Sequence, residues 1–196
     1  MKGRKLGSFL LMGMVLGLTA NPAQALPGQT VETVAAWIAA HPTLEPGIGD
    51  GLVVTKRNTA AQRFKFEASV LPPGQIAFPT NRRLIQSEQI SFYDMINGVT
   101  PERLTESLRV IYGPAIYQDY QRANLVYAYP TPATIDLARR QNRPMLIARQ
   151  GELLLGDRFA YWLEVTRTEN GKPINGRITV FLPEDLDKLE VELRNR

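Results

Sequence analysis

The single histidine, His41, sets the first limit on chemistry. A serine-type triad needs a histidine as base, and no Gly-x-Ser-x-Gly turn accompanies this one. His41 follows an apolar helical run and precedes Pro42, so it reads as an imidazole near the negative end of a helix. One histidine and no cysteine exclude histidine or thiolate zinc sites, and disulfides with them. The glycines of Gly47-Ile48-Gly49-Asp50-Gly51 lead into a strand-like run at 52–55. A phosphate loop must feed a helix N-terminus, so these residues read as a plain loop. Glu184-Asp185-Leu186-Asp187 lacks the spacing and central glycine of a calcium loop. No cofactor and no metal are expected.

Carboxylate chemistry stays open. Glu67, Glu88, Glu152 and Glu164 are all candidates for the paired acids of a glycoside hydrolase, which only their separation in space would identify. Ser-Lys catalysis has no Ser-x-x-Lys to support it. Two clusters rise above this background. Tyr117, Tyr120, Tyr127 and Tyr129, with Tyr112, are five of the seven tyrosines and lie within 18 positions. Tyrosine supplies rigid amphipathic area, suited to a contact surface and equally to the rim of a core. Arg139, Arg140 and Arg143, followed by Arg149 with no acid between, offer planar forks for an anionic partner. A solvated helix end is their plainer reading.

The charge balance points to export. The chain has 23 Lys and Arg against 19 acids, for +4 and a pI near 9.5. Lys2, Arg4 and Lys5 form a positive start, residues 6–20 are uncharged, and Ala23-Gln24-Ala25 is a small-x-small cleavage site. That is the pattern of a cleavable signal peptide at 1–25. Without those cations the balance is 20 against 19, which removes the case for nucleic acid as a partner. The uncharged stretch is shorter than the roughly 20 apolar residues of a membrane span, and no other segment approaches that length. Without cysteine no lipid anchor is expected. The mature chain is read as periplasmic, or in an equivalent extracytoplasmic space.

Residues 26–196 have the size of one domain. Val31, Val34, Ala35 and Ile38 form the apolar face of a helix at 30–40, capped by Thr30. A strand is expected at 52–56. At 63–70, Phe64, Phe66, Ala68 and Val70 alternate with polar residues, as in a half-buried strand. Residues 87–96 read as a helix, with a strand as the competing reading. Thr100-Pro101 opens a helix that Gly113-Pro114 stops. A strand is expected at 125–129, a helix from Thr131-Pro132 to about 141, and a short strand at 145–148. From Gly98-Val99-Thr100 through Gly113-Pro114 to Tyr127 and Tyr129, the layout resembles that of small outer-membrane assembly lipoproteins. The chain departs from them in lacking the lipid-bearing cysteine.

The C-terminal part reads as a hairpin over 159–182. Asn170-Gly171 suits a two-residue type I′ turn, whose register makes opposite residue numbers sum to 341. Tyr161 then faces Val180, Leu163 faces Ile178, and Glu164 meets Arg177 on the second face. A helix with Leu186, Leu189 and Leu193 inward should close the chain. The expected fold class is therefore α+β, with an antiparallel sheet and several short amphipathic helices. The expected function is binding to another envelope component. A carboxylate-type hydrolase and a structural accessory subunit are the alternatives.

Overall fold

The computed structural model describes residues 26–75 and 81–196; the expected signal peptide lies outside them. The helices are α1 (Val31–Ala40), α2 (Pro101–Tyr112), α3 (Pro114–Arg122), α4 (Pro132–Arg140) and α5 (Leu186–Arg194). The strands are β1 (Val53–Thr59), β2 (Gln62–Ser69), β3 (Ser87–Asp94), β4 (Asn124–Tyr129), β5 (Arg149–Leu155), β6 (Ala160–Arg167) and β7 (Pro173–Phe181). The seven strands form one antiparallel sheet in the order β1-β2-β3-β7-β6-β5-β4. The fold is α+β.

Local chemistry explains three helix starts. The hydroxyls of Thr30, Thr100 and Thr131 accept from the N–H groups of Thr33, Arg103 and Thr134, each satisfying one orphan donor of the first turn. Pro101 and Pro132 follow two of these caps, where a missing N–H costs nothing. Gly113-Pro114 does stop α2, but Pro114 also begins α3. Gly113 takes φ 82°, which lets the chain turn sharply from one helix into the next. This intervening helix separates the chain from the helix-then-strand lipoprotein layout.

Two expected elements take another form. Residues 87–94 are strand β3, not a helix, hydrogen-bonded to β2 on one side and β7 on the other. The spacing of Ile90, Tyr93 and Ile96 mimics a helix, but Ile96 is exposed, while Glu88 and Ile90 face the core from alternate positions. Residues 144–147 are a 3₁₀ turn, and the strand begins at Arg149. Pro144 at the head of that run lacks the N–H a ladder needs.

The hairpin β6–β7 keeps the expected register from Ala160↔Phe181 to Thr166↔Asn175, including Glu164↔Arg177. The turn differs. Gly171 N–H donates to Thr168, Thr168 N–H donates to Lys172, and only Gly171 has positive φ, at 77°. A type I′ turn would need Asn170 positive too. The loop is instead three residues long, with a one-residue shift between Thr166 and Arg167 restoring the pairing.

The sheet is covered unequally. On one face α1, α2 and α3 bury Val34, Ile38, Leu104, Leu108 and Ile116 against Phe66, Ile90, Tyr161, Ile178 and Val180. Gly176 makes this contact close, since a Cβ there would press on Val99 and Leu104. On the other face α5 seats Leu186, Leu189 and Leu193 on Leu153, Ala160, Trp162 and Phe181. This helix covers only the β5–β6–β7 side, leaving an open strip.

Candidate functional site

That open strip is polar by strand alternation. Glu67 and Ser69 of β2, Ser87 and Gln89 of β3, Asn175, Arg177 and Thr179 of β7, and Glu164 and Thr166 of β6 share one face, opposite the apolar residues of the same strands. Residues 71–75 wall it. The Ser87 hydroxyl donates to Leu71 O at 2.8 Å, and Gln75 N–H donates to both carboxylate oxygens of Glu192 on α5, at 3.0 and 3.2 Å. The result is a cavity of about 500 Å³, within the range of small-ligand sites.

Its charged end holds three arginines. Arg177 pairs with Glu164 at 2.8 Å, Arg196 reaches the other oxygen of Glu164 at 3.3 Å, and Arg149 enters from β5. Arg177 lies over the Trp162 ring at 4.1 Å and Arg196 at 5.2 Å. Trp162 Nε1 donates to Tyr129 Oη, which donates to Glu164 Oε2 at 2.7 Å. Two guanidiniums thus share one carboxylate, and a third, that of Arg149, lines the same cavity with no ion pair to it. Burial lowers the pKa of Arg177, Glu164 opposes that shift, and the nearby Arg196 and Arg149 add to it. The buried Nε of Arg177 has no hydrogen-bond partner. Crowded cations with an unused donor favour an incoming anion, which an Arg fork can hold through two bonds.

The four carboxylates considered for hydrolysis do not gather. Glu88 is fully buried on the helix-covered face, and Glu152 is exposed on that same side of the sheet. Glu67 and Glu164 both line the groove but stand three strand spacings apart, and each has its own cation, Lys65 and Arg177. Two further buried acids hold loops. Asp94 accepts from the N–H groups of Ile96 and Asn97, and Asp119 from those of Asp157 and Arg158. His41 is likewise structural in its contacts: Nδ1 accepts from the N–H groups of Thr43 and Leu44, so Nε2 donates to Ile111 O at 3.0 Å.

The tyrosines do not form one surface. Tyr117 and Tyr120 pack on the helix-covered face, with Tyr120 edge-on to Tyr161, whereas Tyr127 and Tyr129 stack beside α5 on the other. All four are half-buried. Arg139, Arg140 and Arg143 are exposed at the end of α4, away from the groove lining. The groove arginines 149, 177 and 196 escape a reading by sequence proximity. The polar second face of the hairpin is a signal for Arg177 alone; nothing local marks Arg149 on β5 or Arg196 after α5.

Among the described residues, no helix is long and apolar enough to cross a membrane. No family model, curated protein or solved structure matches the chain.

Proposed function

We propose that this protein is an exported binding module that captures an anionic group of an envelope component in the groove beside α5. One observation carries the reading: Arg149, Arg177 and Arg196 line one cavity of about 500 Å³ in which a single carboxylate, Glu164, pairs with only two of them, and the buried Nε of Arg177 is unused. Glu164, itself fixed by the Tyr129 hydroxyl, holds the Arg177 and Arg196 guanidiniums in place before any ligand arrives, which lowers the ordering cost of binding. Ser69, Ser87, Gln89 and Thr179 supply hydroxyls and an amide for the polar remainder of the ligand.

The test has two parts. N-terminal mass spectrometry of the exported protein should find Leu26 first; full-length chain in the membrane fraction would overturn the export reading. Calorimetric titration with inorganic phosphate, citrate and a peptide bearing a free terminal carboxylate should reveal binding that weakens with salt. Arg149→Gln removes an exposed side chain and should cost about ten-fold or more in affinity. Binding that ignores this change, or no binding by any of the three, would refute the groove as an anion site.

A further inference from the structure

The segment from Pro132 to Ile147 links β4 to β5 at one edge of the sheet and carries its own chemistry. Helix α4 ends on Asn142 in the left-handed region (φ 50°), with Arg143 N–H donating to Ala138 O at 2.9 Å. That closure reverses the chain, so the 3₁₀ turn Pro144–Ile147 lies back against α4. Within α4 only Ala138 is buried. Leu137, Met145 and Leu146 are exposed, Met145 to 67 %. Arg139, Arg140 and Arg143 of the same segment are also exposed, and among the described residues no side-chain hydrogen bond or ion pair engages these three. Asp136 is the one acid between Pro132 and Arg149.

We infer that this helix–turn unit docks on the surface of an anionic lipid bilayer, its arginines on the headgroups and Leu137, Met145 and Leu146 in the acyl boundary. Exposed apolar side chains flanked by unpaired cations are what an interfacial element needs, and neither part suffices alone. An acidic polypeptide without apolar groups would satisfy the arginines but not the three apolar side chains, and soluble polyglutamate serves as that control. The mature chain is close to electrically neutral, so the local cations must supply the attraction.

The test is sedimentation with vesicles of phosphatidylcholine and of phosphatidylcholine containing phosphatidylglycerol. The full mature protein should bind the anionic vesicles only, and less as salt rises. Each Arg→Ser change at 139, 140 or 143 should weaken binding roughly five-fold, and all three together on the order of a hundred-fold. Met145→Ser with Leu146→Ser should weaken binding while leaving its salt dependence in place. Both sets should keep the parent's thermal midpoint, because the side chains are exposed. Equal binding to neutral vesicles, no loss in the triple arginine variant, or equally tight binding to soluble polyglutamate would overturn the proposal.

Discussion

The Tyr129 hydroxyl reaches Glu164 across an intervening strand, donating to Oε2 at 2.7 Å over the backbone of Gly151, which pairs with both residues. Glycine is required there, because a Cβ would overlap the Tyr129 ring. Gly151→Ala should therefore cost about 1–3 kcal/mol as the ring is displaced. Tyr129→Phe keeps the ring but loses both the hydrogen bond to the Glu164 carboxylate and the one accepted from Trp162 Nε1, at a cost of at least about 1.5–3 kcal/mol. Urea unfolding of both variants measures this, and an unperturbed Gly151→Ala would mean that the ring does not lie over the strand.

Glu164 and Arg177 meet directly across β6 and β7, and Glu164 is nearly buried. A double-mutant cycle of Glu164→Gln with Arg177→Gln should return a coupling of about 1.5–3 kcal/mol, above the range for an exposed cross-strand pair. Glu164→Gln should be the worse single change, since it leaves Arg177 and Arg196 crowded without their shared anion. Additive losses would show that the pair is not coupled.

Burial in the helix-covered core pushes the Glu88 carboxyl from 4.5 up to about 8, against a smaller opposing effect of Tyr112. Below pH 4.5 the group is protonated folded or unfolded, and its full contribution to stability is present. Between 4.5 and 8 the unfolded chain ionises while the fold retains the proton, so stability falls as pH rises and levels off above 8. At about 1.4 kcal/mol per pH unit, the loss is on the order of 5 kcal/mol. Glu88→Gln should flatten that slope, so its advantage over the parent should be larger at pH 8 than at pH 5. Urea midpoints across this range decide it, and parallel profiles would show that Glu88 ionises within the fold.

The hairpin turn makes a distinction between neighbours. Gly171 has φ 77°, whereas Asn170 does not enter the left-handed region. Gly171→Ala should cost about 1–2 kcal/mol, and Asn170→Ala only a few tenths. Comparable losses at both positions would instead favour a two-residue turn.

Helix caps were legible in the sequence because their chemistry closes within three residues: Thr30, Thr100 and Thr131 each bond to an N–H that the chain itself brings near. The β6–β7 register was legible for a related reason, since a short loop and two alternating apolar runs leave one pairing that buries both. The turn type was not, because a one-residue bulge at Thr166/Arg167 gives the same register with a different loop.

Strand β3 shows where local reading ends. Its spacing suits a helix or a strand, and the choice was made by partners far along the chain, as in the pairing Ile90↔Ile178. The groove is decided at the same level. Arg149, Arg177 and Arg196 come from β5, β7 and the residue that follows α5; they converge because β5, β6 and β7 pair side by side and α5 packs back onto them, and the pairing of β3 with β7 extends the polar floor beside them. Sequence by itself determined the elements whose hydrogen bonds and apolar faces are satisfied within a turn or a hairpin. Tertiary structure alone decided which polar faces meet, because the energy of burying one surface depends on the surface that covers it.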